Sequence, residues 1–96
     1  MDLSNKEISH LKGRAQLLEP TVFLGKQGVT PAFLQSLDVA LTHHELVKIR
    51  FSAFKDERRE VAATIATQTA SHLVMIVGHV AVFYRPRPVA AGRVTK

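Results

Sequence analysis

The stretch "TVFLGKQGVTPAF", residues 21–33, changes within a few residues from a pattern typical of a strand to one typical of a helix. Its first four residues favour an extended chain, and a Gly-Lys-Gln-Gly loop follows at residues 25–28. Thr30 is a favoured N-cap residue, and Pro31 suits the first helical position, where its missing N–H costs nothing. The stretch therefore predicts a strand, a glycine loop and the start of a helix, in that order.

Apolar periodicity on either side of this stretch predicts an α/β fold: a single compact domain in the order α-β-α-β-α-β-β. The first helix begins with a capping box formed by Ser4 and Glu7. We expect a four-stranded mixed sheet covered by helices, with strands 1 and 2 parallel and strands 3 and 4 a hairpin. The predicted elements are helix 1 (5–18), strand 1 (21–24), helix 2 (31–44), strand 2 (46–51), helix 3 (55–70), strand 3 (73–77) and strand 4 (80–84).

The length of 96 residues predicts one domain, which we place at residues 1–86. Residues 87–96 have too little periodic apolar content to pack, so we expect a flexible C-terminal tail there.

The composition is basic, with 13 Lys and Arg against 8 Asp and Glu, a formal net charge of +5. Such an excess attracts anions, and nucleic acids are the abundant cellular polyanions, although many small soluble proteins are basic without binding them. The absence of cysteine excludes disulfides and cysteine-based zinc sites. With no apolar run long enough for a signal peptide or a membrane span, we expect a cytoplasmic protein that does not associate with a membrane.

Two interpretations of the loop Gly25-Lys26-Gln27-Gly28 are open. The glycines can take positive φ and let a phosphate approach the backbone, while Lys26 adds a cation and Gln27 a hydrogen-bonding amide. Alternatively, a strand-to-helix turn needs glycine for its geometry alone. The loop lacks the length of a Walker loop and the third glycine of a dinucleotide-binding loop.

Several basic residues lie near the loop in the predicted fold. Lys12 and Arg14 precede it and could flank a bound phosphate backbone, or simply form a solvated helix face. Lys48 and Arg50 share the exposed face of strand 2, where we favour a role in keeping the sheet soluble. Arg85 follows strand 4, and its guanidinium could hold a phosphate through two hydrogen bonds.

The pair His43-His44 is the one hint of metal or acid–base chemistry. Adjacent residues of a helix point about 100° apart, and the i, i+4 spacing of helical metal sites is absent. We therefore predict no metal, no cofactor and no enzymatic activity.

Three pieces of sequence are more specific than the glycines alone: "LGKQGVT" at 24–30, "HHELVKI" at 43–49 and "FYRP" at 83–86. With them the chain resembles the CRM-domain, or YhbY-like, family of RNA-binding proteins. The resemblance implies a fold similar to the C-terminal domain of translation initiation factor 3, and RNA binding through the GxxG loop and neighbouring basic surface. It also implies a stand-alone bacterial protein associated with precursors of the large ribosomal subunit. One departure is His79, where a lysine is expected.

We therefore expect a monomeric, non-enzymatic protein that binds large-subunit ribosomal RNA or a pre-ribosomal particle and acts in ribosome assembly. The alternative is an adaptor that docks on a ribosomal protein or assembly factor. A hydrolase or metal site at His43 and His44 is a third hypothesis. The predicted RNA-binding residues are Gly25, Lys26, Gln27, Gly28, Lys12, Arg14 and Arg85.

Overall fold

The predicted order of helices and strands is confirmed in a computed structural model, which describes residues 3–86. No helix within that range has the length and apolar character needed to cross a membrane. The tail predicted at 87–96 lies outside the described residues. The elements are α1 (Asn5–Ala15), β1 (Val22–Leu24), α2 (Pro31–His44), β2 (Leu46–Phe51), α3 (Arg58–Thr69), β3 (His72–Val77) and β4 (Val80–Tyr84).

The four strands form one mixed sheet in the order β1-β2-β4-β3. β1 lies parallel to β2, with Val22 opposite Ile49, and β4 is antiparallel to both β2 and β3. The parallel pair and the hairpin were predicted and are confirmed. The sequence did not specify that β4 lies between β2 and β3, which makes β1 and β3 the two edges.

Each face of the sheet is covered differently. Helices α2 and α3 cover one face completely, because alternate residues of every strand pack against them in the larger core. Helix α1 lies on the other face, where Leu11 and Ala15 pack against Leu46, Val74 and Val82. It covers the end of this face at which β2 begins, and the opposite end stays exposed.

Helix α1 ends at Ala15, so the prediction that it extends to residue 18 is wrong. After Ala15 the chain tightens into single turns, in which the Leu17 N–H donates to the Arg14 carbonyl and the Leu18 N–H to the Ala15 carbonyl. Leu18, at the end of the predicted helix, is 38% exposed. Its carbonyl accepts a hydrogen bond from Lys48 Nζ at 2.8 Å, which fixes the turn beside β2.

Helix α3 begins at Arg58 rather than at the predicted residue 55. The residues before Arg58 are not helical, because Phe54 has a left-handed φ of 58° and Glu57 has a φ of −100° with a ψ of 14°. The turn after Phe54 is closed by the Glu57 N–H, which donates to the Phe54 carbonyl. The helix ends at Thr69, one residue early, because Ala70 is a left-handed C-cap with a φ of 53°.

Candidate nucleic-acid interface

The glycine loop is a tight turn at the carboxyl end of β1. The Gly28 N–H donates to the Gly25 carbonyl at 3.1 Å, and the Thr30 N–H donates to the Gly28 carbonyl at 3.0 Å. Lys26 and Gln27 occupy the tip of the turn, and both side chains are exposed. The turn thus presents one cation and one amide to solvent at a fixed place beside the sheet.

The two glycines of the loop have different roles. Gly28 has a φ of 78°, and a Cβ there would lie 3.4 Å from the ring atom Cζ of Phe54. Gly25 does not have a positive φ, and a Cβ there would meet nothing within 4 Å. The expectation of positive φ therefore holds for Gly28 alone. The fold requires glycine at 28, whereas glycine at 25 leaves open space above the backbone.

Helix α2 begins directly after the loop with the predicted cap. Thr30 Oγ1 accepts a hydrogen bond from the Phe33 N–H at 3.0 Å, and Pro31 occupies the first turn. This turn contains no acidic residue. The helix dipole and the N–H groups without intrahelical partners therefore keep their partial positive charge, which favours an anion in front of them.

A groove of about 690 Å³ runs from the loop along the outer edge of β1 to the first turns of α2. Of the residues described along it, Lys26 alone is charged, so no carboxylate opposes a bound phosphate. The groove is lined by Thr21, Val22, Phe23, Gly25, Lys26, Gln27, Gly28, Thr30, Ala32, Phe33 and Ser36.

A second groove, of about 390 Å³, lies between the end of α1 and the beginning of β2. Arg14 and Lys48 line it, together with the carboxylate of Glu19. Thr21 lines both grooves, so the second groove continues the first around β1. The structure places Arg14 in this second groove, at the beginning of β1 rather than beside the loop. Lys12 is exposed on α1 but lines neither groove.

Arg85 lies away from the loop, beside the first residue of β2 rather than the last. Its backbone N–H donates to the Glu45 carbonyl. Its guanidinium donates to Asp38 Oδ1 at 2.7 Å and to the Thr69 carbonyl at 2.9 Å. The second terminal nitrogen donates to the Asp38 carbonyl and to Thr42 Oγ1, each at 3.0 Å. These bonds join β4 to α2 and α3, and use donors that a phosphate would need.

The histidines at the end of α2 do not converge on one point. The ring centroids of His43 and His44 are 6.3 Å apart, and the rings are tilted by 55°. Within residues 3–86, no three His, Cys, Asp or Glu side chains are placed to hold a metal ion.

Two aromatic residues of the site did not stand out in the sequence. Phe54 packs its ring against Gly28 and so supports the loop from below. Phe23 lines the loop groove and is 53% exposed. The alternation of strand 1 could have indicated Phe23, since Val22 and Leu24 are buried on the opposite face.

A model of the CRS1/YhbY (CRM) domain matches residues 3–85. The chain belongs to this family. Both grooves, the glycine loop and Arg85 therefore lie inside the CRM domain.

Relatives of this CRM chain carry RNA binding in their names. A Haemophilus influenzae protein named "RNA-binding protein" is 38% identical over 88% of this chain and 86% of its own length. A Pseudomonas aeruginosa "Probable RNA-binding protein" is 32% identical over 92% of this chain and 86% of its own.

The fold of the CRM chain also matches a solved structure. The solution structure of a Staphylococcus aureus protein, for which RNA binding is proposed, superposes with a TM-score of 0.78 at 29% identity. The match covers 91% of this chain and 92% of the other.

Proposed function

We propose that this chain binds RNA and that the loop Gly25–Gly28 holds phosphate groups of the RNA backbone. The observation that carries the proposal is the turn itself, which places Lys26 and Gln27 at the mouth of α2 without a carboxylate in the adjoining groove. The names of the CRM relatives support RNA as the polyanion.

Binding at this loop combines three sources of attraction. Lys26 supplies a full positive charge, the start of α2 supplies N–H donors and the dipole, and the open space at Gly25 lets a phosphate come close to the backbone. These contacts read the RNA backbone rather than its bases. The affinity should therefore fall steeply as salt rises, because bound phosphates release counterions.

The flanking basic residues extend this surface unequally. Arg14 lines the groove that continues around Thr21, so it is placed for a further phosphate contact. Lys12 lies two residues before Arg14 on α1, lines neither groove and adds only to the local positive potential. An RNA contact by Arg85 stays a prediction, and its hydrogen bonds to Asp38 and Thr69 favour a structural role.

The finer function rests on the resemblance to the CRM family. We propose that the RNA is large-subunit ribosomal RNA within a precursor particle, that one copy of the chain binds it in the cytoplasm, and that binding assists subunit assembly without catalysis.

The test is a binding titration with a fluorescent fragment of large-subunit ribosomal RNA at several salt concentrations. A double variant, Lys26→Asp with Gln27→Asp, should bind at least about tenfold more weakly, with a shallower salt dependence. The matched control is Lys6→Asp with Gln68→Asp, which makes the same change of charge at exposed positions outside both grooves. Circular dichroism verifies that both variants fold.

If the loop variant and the control bind equally well, the loop is only a turn and the phosphate clamp is wrong. If the unmodified chain binds no RNA even at low salt, RNA binding itself is wrong. The alternative, docking on a ribosomal protein or assembly factor, would then take its place.

A further inference from the structure

Four side chains form a row across the exposed end of the sheet. Phe23 of β1 is paired with Arg50 of β2, Arg50 with Val80 of β4, and Val80 with Val77 of β3. Their strand neighbours are buried under α2 and α3, so all four side chains point to the opposite face. We call this set the uncovered row.

The uncovered row is exposed because α1 packs over the other end of this face. The helix ends at Ala15 over the beginning of β2 and does not reach the far end of the sheet. Phe23 is 53% exposed and Val77 is 62% exposed. Nothing within residues 3–86 covers this part of the sheet, where an aromatic ring lies beside an arginine.

The Phe23 end of the row lies close to the glycine loop along the chain. Phe23 lines the same groove as Lys26 and Gln27. It lies two residues before Gly25, about 7 Å along an extended chain. Arg50 is the charged member of the row, and the row contains no carboxylate. A ligand held here would meet an aromatic face, a guanidinium and the phosphate-binding loop together.

We propose that the uncovered row binds the bases of single-stranded RNA, with one unpaired base stacked on the ring of Phe23 and Arg50 beside it. This inference rests on the proposed function, because the loop holds the phosphates of the same strand. Bases paired in a duplex are already stacked on one another and cannot lie flat on a ring, so the row selects unpaired nucleotides.

The charge of the surface favours RNA over an apolar protein segment as the occupant. Arg50, between Phe23 and Val80, is the one charged member of the row, and an apolar protein segment would leave its guanidinium without an anionic partner. Arginine beside an aromatic ring suits both stacking on a base and contact with its phosphate.

The experiment measures fluorescence anisotropy with a labelled RNA strand of about 12 nucleotides and with the duplex it forms with its complement. Phe23→Ala should weaken binding of the single strand by roughly 5- to 100-fold and leave the salt dependence unchanged, because no phosphate contact is removed. Binding of the duplex should change far less. Phe23→Tyr should retain the affinity, because it keeps the ring.

The matched control is Val39→Ala, which removes an apolar side chain that is 49% exposed on α2, outside the row. It should bind both RNAs like the unmodified chain. Suppose that the chain binds RNA, and that Phe23→Ala weakens binding of the single strand and the duplex equally or changes neither. The stacking proposal is then wrong, while the phosphate clamp at the loop stands. The row is then open to a protein partner. If the unmodified chain binds neither RNA, the proposed function fails first.

Discussion

The two ends of β2 use basic residues in opposite ways. Beside Leu46, the guanidinium of Arg85 is 21% exposed and hydrogen-bonded to groups on α2 and α3. Beside Phe51, Lys26 and Arg50 are exposed at the glycine loop and on the uncovered row. Arg85 at the first end is bound by acceptors of the protein itself, whereas Lys26 and Arg50 at the other end are exposed.

This contrast shows that the role of a basic residue depends on what its donors already bind. Arg85 and Lys26 look equally suited to phosphate in the sequence. In the fold, Arg85 connects three elements, whereas Lys26 stands at a turn with open space beside it. The contrast can be tested with variants of Arg85, of the two loop glycines and of the N-cap residue Ser4.

The largest stability effect is expected at Arg85. Arg85→Ala should lower the free energy of unfolding by about 2 kcal/mol, because it removes charge-assisted bonds to Thr69 and Thr42 as well as the ion pair. The ion pair itself adds little, since Asp38 is 59% exposed. Urea unfolding measures the change.

The control for this variant is Asp38→Asn, which keeps a side chain of similar shape and should cost at most about 1 kcal/mol. RNA affinity measured on folded Arg85→Ala separates the two roles. Unchanged stability together with a large loss of RNA affinity would contradict the structural role and return Arg85 to the binding surface.

Alanine substitutions at the two loop glycines provide the next test, because one should lower stability and the other should weaken RNA binding. Gly28→Ala should destabilise the protein by about 1–2 kcal/mol, because φ is 78°, a backbone conformation that is costly for a residue with a Cβ. Gly25→Ala should leave stability within about 0.5 kcal/mol, since its Cβ meets nothing within 4 Å.

Gly25→Ala should still weaken RNA binding several-fold by occupying the space that a phosphate enters. Thermal unfolding and the salt-dependent titration are run on the same two samples. Gly25→Ala binding RNA with full affinity would show that close approach at this residue is not used.

The smallest effect is expected at the start of α1, where the carboxylate of Glu7 accepts a hydrogen bond from the Ser4 N–H. The pKa of the Glu7 carboxyl is lowered from its ordinary 4.5. The main cause is the hydrogen bond that the carboxylate accepts from the Ser4 N–H, and the second is the hydrogen bond with the Ser4 hydroxyl. A depressed carboxyl pKa gives stability that is present above pH 4.5 and lost as pH falls through the folded value. Ser4→Ala should raise the pKa of Glu7 and reduce that pH dependence.

An NMR titration of the Glu7 carboxyl follows the change directly. RNA affinity should not change in Ser4→Ala, because the start of α1 is not the anion site. An unaltered pKa of Glu7 would show that the Ser4 hydroxyl does not contribute and that the backbone N–H of residue 4 alone lowers the pKa. By contrast, the start of α2 has no acidic residue in its first turn, so its N–H groups are left for an anion.

Local signals predicted much of the fold. The capping box at Ser4, the Thr30-Pro31 start and the hairpin at Gly78 each depend on residues close in sequence, and each is present. The errors arise where the structure depends on contacts between distant residues or on a backbone conformation that has no signal in the sequence. Nothing in the residues around Phe54 announces a left-handed φ, and the early end of α1 involves Lys48, thirty positions from Leu18.

The site was predictable only where it is local. The loop at Gly25–Gly28 is a continuous segment, so its turn and its position before α2 followed from the sequence. The neighbours of Arg85 depend on strand order, which no short segment encodes, and so its bonds to Asp38 and Thr69 were not foreseen. Phe23 was missed although the alternation of strand 1 indicates its outward position, because its exposure also depends on which part of that face α1 covers.

Both edges of the sheet are poor templates for further strands. β1 has only three residues, between Pro20 and Gly25, and the register of β3 shifts between Leu73 and Met75. Short and irregular edges resist pairing with another sheet. Two copies of the chain that met at these edges would find no long, regular strand to pair with, so the sheet is protected against growing from one molecule into the next.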